Sequence, residues 1–177
     1  MFDFLWQFLA RFEDTGISTW VREGYFISDP FATFYVMLGF HSIGMAAVVG
    51  ISFMLSIRLF GFFRHFSVEE ARKFLVIGWA GFIINLISGV LLLLAQPRRE
   101  LITATFDIKI LMVILACITM GMMQKAMGLT RTEVGPGGVA VEVIPDNARL
   151  LALLTNLFWL GAIVSGRVIG YLQPPPP

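Results

Sequence analysis

One titratable side chain, His41, lies deep inside a long apolar stretch of the sequence. The stretch covers 30–63 and exceeds the roughly 20 apolar residues that a helix needs to cross the hydrocarbon core. Ionisable side chains are costly at that depth and indicate a functional site by default. On a helix, Met37 and Met45 lie four residues to either side of His41, on the same face. A histidine with two thioethers is a ligand set that suits Cu(I), so His41, Met37 and Met45 form a candidate metal site.

The residue types leave other roles open for these side chains. His41 also fits, in decreasing order, a packed histidine that bonds a backbone carbonyl, a haem or metal ligand, and a proton-transferring or ligand-binding group. Methionines at helical spacing are also typical of an adaptable core, because the thioether side chain fills irregular space. The spacing alone does not choose among these roles.

The composition indicates a protein that lives in a lipid bilayer. Hydrophobic residues make up 57% of the 177-residue chain and charged residues only 14%, whereas soluble domains carry about 25% charged residues. The formal net charge of +1 gives no reason to expect a nucleic-acid partner. The sequence lacks H-E-x-x-H, G-x-S-x-G and a nucleotide-binding loop, so we expect no enzymatic activity.

Four apolar segments predict an all-α membrane protein, a bundle of four transmembrane helices within residues 28–172. The spans are expected at about 30–61, 72–95, 104–127 and 148–172. Ser28, Asp29 and Pro30 are typical of a helix start, and the spacing Ser67-x-x-Glu70 is a capping box that opens the second span. Gly128 fits the residue after the third span, and Asp146 or Asn147 would cap the fourth.

The segments outside the spans have distinct patterns. Residues 1–27 are predicted to be an interfacial amphipathic segment, with a helix over 2–14 that Gly16 ends and that lies in the plane of the membrane surface. The long connection 129–147 predicts a turn and a short strand. The prolines of 173–177 predict an extended tail.

Because consecutive spans alternate in direction, we expect polar side chains from all four to meet in the membrane half nearer the termini. This predicted intramembrane cluster consists of His41, Asn85, Ser88, Asp107, Lys109 and Arg167. Small residues near Asn85 on the second span favour close helix packing, and Asn85 and Ser88 are also typical interhelical hydrogen-bond formers. Lys109 and Arg167 lie within about two turns of the span ends, where long side chains reach the headgroups.

Basic residues are distributed unequally between the two sides of the predicted bundle. Seven basic residues lie at the connections 1–2 and 3–4, and four lie on the side of the termini. The seven are Arg58, Arg64, Arg72, Lys73, Lys125, Arg131 and Arg149, and the four are Arg11, Arg22, Arg98 and Arg99. The positive-inside rule therefore favours cytoplasmic connections and periplasmic termini.

Several short motifs resemble those of an uncharacterised bacterial family of four-span integral membrane proteins. The motifs are His41 followed by Gly50, Ile57-Arg58-Leu59-Phe60-Gly61, Phe106-x-x-Lys109, and Trp159-x-Gly161-Ala162 with Gly166-Arg167 and Ile169-Gly170-Tyr171. That family is distantly similar to the CopD copper-resistance membrane domain and to four-helix membrane cytochromes b. The resemblance implies a bundle in a bacterial inner membrane, with His41, Arg58, Lys109 and Arg167 at the marked positions.

The cytochrome pattern requires two facing histidines, and this sequence departs from it. His65, the other histidine, falls in the basic 1–2 connection at the opposite membrane surface. A six-coordinate haem b would need His41 with a methionine, or a histidine from another chain.

These observations support three hypotheses for the function. The first is a non-enzymatic accessory or structural subunit of a larger membrane complex, with other membrane subunits or further copies of itself as partners and with bound lipids. The second is a haem- or copper-binding membrane protein that uses His41 with methionine ligands. The third is a small transporter or channel, which ranks last because the spans show no clear inverted repeat.

Overall fold

The computed structural model describes residues 2–24, 33–101, 103–135, 138, 140–169 and 171. These residues form eight helices and one two-stranded hairpin. In chain order the elements are α1 (Phe2–Glu13), α2 (Gly16–Glu23), α3 (Thr33–Leu59), α4 (Val68–Lys73), α5 (Leu75–Ala95), α6 (Pro97–Leu101), α7 (Ala104–Met127), β1 (Arg131–Val134), β2 (Ala140–Val143) and α8 (Asp146–Ile169).

Four helical segments are long and apolar enough to cross a membrane: Thr33–Leu59, Val68–Ala95, Ala104–Met127 and Asp146–Ile169. The second consists of α4 and α5, which are separated only at Phe74, whose backbone stays in the right-handed helical region. The protein is therefore an all-α bundle of four membrane spans, as the composition predicts. Each span begins and ends within three residues of its predicted bounds, except that the second begins at Val68 and not at residue 72.

The predicted start of the second span and the predicted end of the third are confirmed. Ser67 accepts a hydrogen bond from the backbone of Glu70, and the Glu70 carboxylate accepts one from the Ser67 backbone, so the capping box is complete. Gly128 is the residue that follows α7. The prediction that Asp146 or Asn147 caps the fourth span is wrong, because α8 begins at Asp146 and both residues lie inside the helix. The predicted start of the first span at residues 28–30 and the proline tail 173–177 lie outside the described residues.

The bundle is built from two closely packed antiparallel pairs, α3 with α5 and α7 with α8, and α3 also packs on α8. The α3–α5 pair is close because glycines face each other: a Cβ on Gly44 would lie 2.7 Å from the Gly81 carbonyl oxygen. Larger side chains join α5 to α7, where the Trp79 indole donates a hydrogen bond of 3.2 Å to Gln124. The buried core between the helices is mainly aliphatic and methionine-rich.

On one side of the bundle, called the loop side, lie the connection 60–67 and the β1–β2 hairpin. The strands pair antiparallel, with Thr132 opposite Glu142. The buried Arg58 guanidinium, at the end of α3, forms an ion pair with Glu142 and donates to the Phe66 carbonyl. The second carboxylate oxygen of Glu142 accepts a 3.0 Å bond from the backbone N–H of Val68 at the start of α4. One carboxylate therefore ties the hairpin to two helices.

On the opposite side, called the terminal side, lie α1, α2 and α6. The prediction that Gly16 ends the N-terminal helix is wrong: α1 ends at Glu13, and Gly16 begins α2, because Thr15 has an extended backbone and breaks the helix first. Glu13 is buried and accepts hydrogen bonds from the backbone (3.2 Å) and from Nε (2.6 Å) of Arg98. These bonds raise the pKa of the Arg98 guanidinium and join α1 to α6.

Candidate functional site

His41 lies on the seam between α3 and α5 and is held there from two directions. Its Nδ1 is 3.0 Å from the backbone carbonyl oxygen of Asn85 and 3.4 Å from the Ser88 hydroxyl. The Asn85 amide in turn donates a 2.7 Å hydrogen bond to the backbone carbonyl of His41. The structure therefore brings together three members of the predicted cluster, His41, Asn85 and Ser88.

The partners of His41 determine which ring nitrogen carries the proton of the neutral imidazole. A carbonyl oxygen only accepts, so Nδ1 must donate to Asn85, and Nε2 is then the nitrogen with a free lone pair. Ser88 gives its own proton to the Ile84 carbonyl at 2.6 Å, which leaves its oxygen able to accept from Nδ1 as well. The ring lies directly against Gly89, where a Cβ would be 3.0 Å from the ring carbon Cε1.

Lys109, on α7, is half-buried, and its aliphatic chain packs on α8, where a Cβ on Gly166 would be 3.5 Å from the Lys109 Cε. Among the described residues no carboxylate forms an ion pair with Lys109, so this part of the bundle holds a cation without a bonded acid.

Two members of the predicted cluster are not in the bundle interior. The side chains of Asp107 and Arg167 are exposed on the outside of the bundle. The expectation that Arg167 turns toward His41 is therefore wrong, and Asp107, which points nearly opposite to Lys109 at helical spacing, is exposed as well. The physical reason is their position: Asp107 is the fourth residue of α7 and Arg167 is two residues before the end of α8, so both reach the membrane surface without being buried.

The proposed copper ligands are partly enclosed. Met37 is buried and Met45 is half-buried, on the same side of α3 as His41. No group of three or more histidine, cysteine, aspartate or glutamate side chains that could hold a metal ion exists within the described part of the chain. A metal there would therefore depend on thioether ligands, which fits Cu(I) and not a hard divalent cation.

A haem does not fit on the α3–α5 seam as these helices are packed. The Gly44–Gly81 contact and the His41–Gly89 contact leave the two backbones in direct proximity. A macrocycle bound to His41 between them would have to separate the helices and remove the bond from Nδ1 to the Asn85 carbonyl. His65 is exposed in the loop-side connection, so it is not placed to be the second axial ligand.

The outer face of α3 is a feature that the sequence analysis overlooked. Gly39, Ser42, Ala46 and Gly50 follow one another at spacings of three or four residues and are all exposed. A Cβ at Gly39 or at Gly50 would meet no atom of the described part of the chain within 4 Å. This "outer α3 face" had a readable signal, because small residues at that spacing in a span are typical of helix–helix contacts.

The outer α3 face is concave toward the loop side. A groove of about 470 Å³ lies there, and its lining residues are Val49, Gly50, Phe53, Met54, Ile57 and Phe63. Phe63 adopts a left-handed backbone conformation, with φ of 52°, in the turn after α3. The groove is thus lined by side chains of α3 together with Phe63 from the turn after it, and Gly50 is its one lining residue without a side chain.

Comparison of the chain with protein-family models, with curated protein sequences and with solved structures finds no match. The four spans and the apolar outer surface of the bundle therefore carry the assignment. The chain is a multi-pass integral membrane protein.

Proposed function

We propose that this chain is a non-enzymatic subunit of a larger membrane complex and that the outer α3 face binds a transmembrane helix of another subunit. The observation that carries the proposal is that α3 has small residues on both faces but uses only one set within the chain. Gly44 brings α5 into contact, whereas a Cβ on Gly39 or Gly50 would meet no atom of the described residues within 4 Å. In lipid, helices associate through close packing at small residues, so an open face of this kind suits a partner helix.

The shape of the face favours a different chain over a second copy. Two copies with one orientation in the membrane are related by an axis along the membrane normal. Such an axis would set the groove over Gly50 opposite the same groove of the other copy and leave space between them. Interfaces pack at the density of protein interiors, so the groove suits a helix with a bulky apolar side chain at that depth.

The test introduces bulk at the two open glycines. Gly39→Leu and Gly50→Leu are expected to leave the isolated protein folded, because a Cβ at either position would meet no atom of the described residues within 4 Å. Both are expected to reduce recovery of a stoichiometric membrane partner from native membranes at least tenfold. The matched control is Gly121→Leu on α7, where a Cβ also meets nothing within 4 Å.

Three results would contradict the proposal. The first is equal recovery of the partner by the glycine variants and the control. The second is a complex that contains only copies of this chain. The third is a protein that is monomeric in mild detergent and carries lipid alone on the outer α3 face.

We also propose that the complex resides in a bacterial inner membrane with the loop side in the cytoplasm. The basic excess on the loop side supports this, and it persists at six against five when the buried, paired Arg58 is left out and the exposed Arg167 is counted on the terminal side. The test uses single cysteines in a Cys117→Ala background. Thr132→Cys should react with a membrane-impermeant maleimide only after the inner membrane is opened. Gln7→Cys should react with it in intact spheroplasts. The reverse pattern would overturn the proposed orientation.

A second candidate is a Cu(I)-binding role for His41, which the resemblance to the CopD domain also favours. The supporting observation is the bond from Nδ1 to the Asn85 carbonyl, because ligating histidines usually donate their other ring N–H to such a group. Met37 and Met45 would supply the thioethers. Copper retained at one equivalent and lost in both His41→Ala and Met37→Leu would support this role; protein without copper after loading with Cu(I) would exclude it.

A further inference from the structure

A second polar cluster lies between α3 and α8, and its residues are more completely buried than His41. It contains Ser52, Ser56, Asn156 and Trp159, whose side chains are 8% exposed or less. Three of its polar atoms have no hydrogen-bond partner in the described residues: the Ser52 hydroxyl, the Asn156 amide oxygen and the Trp159 indole nitrogen. Buried polar groups in a membrane bundle are expected to be paired, so these three indicate a bound polar species.

The orientation of the Asn156 amide is fixed by its neighbours. Its nitrogen lies 3.0 Å from the Ala152 carbonyl, which can only accept, and 2.5 Å from the Ser56 hydroxyl. Ser56 gives its own proton to the Ser52 carbonyl at 2.8 Å and therefore accepts from the amide. The amide oxygen must then point away from this pair and is left as an acceptor.

Ser52 differs from the other hydroxyl residues of the spans. Six serine and threonine side chains donate to the carbonyl four residues earlier in their own helix: Ser42, Ser56, Ser88, Thr119, Thr155 and Ser165. The Ser52 hydroxyl is fully buried and makes no such bond. It is therefore free to bond a group outside its helix.

The three unpaired atoms belong to side chains at a similar level of the bundle. Ser52 lies one helical turn from Ser56 toward the terminal side, about 6 Å at 1.5 Å per residue. Because α8 runs antiparallel to α3, Trp159 is displaced from Asn156 in the same direction, by about 4.5 Å. The indole donor, the amide acceptor and the hydroxyl, which can do either, therefore lie within about 6 Å of one another along the bundle axis, on the packed helices α3 and α8. This shared level is the candidate position.

We propose that this position binds an internal water molecule that bridges α3 and α8. The water accepts from the Trp159 indole, donates to the Asn156 amide oxygen and bonds the Ser52 hydroxyl. Buried waters make about three hydrogen bonds, which is the number of unpaired groups here. A cation does not fit, because the indole N–H would point its positive end at it. The site is distinct from the outer α3 face and does not depend on the proposed partner.

The test uses the indole N–H signals of ¹⁵N-labelled protein in detergent, with Trp159→Phe to identify the signal of Trp159. That indole is expected to show a nuclear Overhauser effect to water with the sign of a long-lived bound molecule. The internal comparison is Trp79, whose indole is bonded to Gln124. Ser52→Ala should reduce the Trp159 effect at least twofold, and Ser42→Ala, at an exposed hydroxyl, should leave it unchanged.

Two outcomes would overturn the proposal. One is a Trp159 indole without any effect to water in the unmodified protein, which would mean that a protein group takes the bond. The other is a Trp159 effect that Ser52→Ala leaves at full size, which would mean that the water is not shared by the two helices.

Discussion

The two faces of α3 use the same kinds of residue in different ways. The inner face is used within the chain: Gly44 contacts the α5 backbone, His41 bonds Asn85, and Arg58 pairs with Glu142. The outer face also has glycines, but a Cβ on Gly39 or Gly50 would meet no atom of the described residues within 4 Å. A residue type therefore does not reveal whether a face is used within the chain. The inner face therefore holds this protein together, and the outer face is the one to which we assign the proposed partner helix.

The largest expected effect comes from removing the charge that neutralises Arg58 at the end of the inner face. Glu142→Gln leaves the guanidinium buried without an anion, so the free energy of unfolding should fall by about 3–5 kcal/mol. Glu133→Gln, on the exposed strand β1, is the control and should change it by less than about 0.5 kcal/mol. Unfolding in mixed detergent micelles measures both; equal effects would mean that the ion pair does not hold the hairpin.

A smaller loss is expected from Gly44→Ala. The added Cβ would lie 2.6 Å from the Asn85 backbone nitrogen, and a backbone atom cannot move aside, so α3 and α5 must separate at a cost of about 1–3 kcal/mol. Gly39→Ala on the outer face meets no atom and should be neutral or slightly stabilising. If the two variants had the same unfolding free energy in micelles, the contrast between the two faces would be wrong.

The smallest effect is expected at Gly89, where the neighbour is the movable His41 ring. A Cβ there would be 3.0 Å from Cε1 and 3.3 Å from Nδ1, so Gly89→Ala should shift the ring away from the Asn85 carbonyl. Stability should change by less than about 1 kcal/mol, because the ring can rotate. The measurement is the ¹⁵N spectrum of the imidazole, in which the signals of a single Nδ1–H tautomer should no longer be seen. An unchanged spectrum would mean that Gly89 does not position the ring.

The sequence predicts the spans and the capping box well because each depends on local properties. Span length follows from the thickness of the hydrocarbon core, and the Ser67–Glu70 box is a short-range hydrogen-bonding pattern. The approach of His41 to Asn85 and Ser88 was also predictable, because antiparallel neighbours set their depth. The direction of a span sets the depth of a residue but not the rotation of the helix about its own axis. The rotation of α7 and α8 leaves Asp107 and Arg167 exposed.

Long-range pairing is the part that sequence reasoning could not reach. Arg58 and Glu142 are 84 residues apart, and Glu13 and Arg98 are 85 apart. In each case the sequence shows a single charge without its partner, and only the packing of the helices brings the two together. Glu142 had a weak signal, since it interrupts an otherwise apolar run from residue 139 to 144.

The most direct test of the assembly proposal is site-specific photo-cross-linking in intact membranes. A benzophenone amino acid replaces Phe53 on the outer α3 face, and, in the control, Ile118 on the outside of α7; the two side chains are 50% and 53% exposed. We predict one discrete protein adduct from position 53 and only lipid adducts from position 118. Lipid adducts alone from position 53, or the same protein adducts from both positions, would contradict the account.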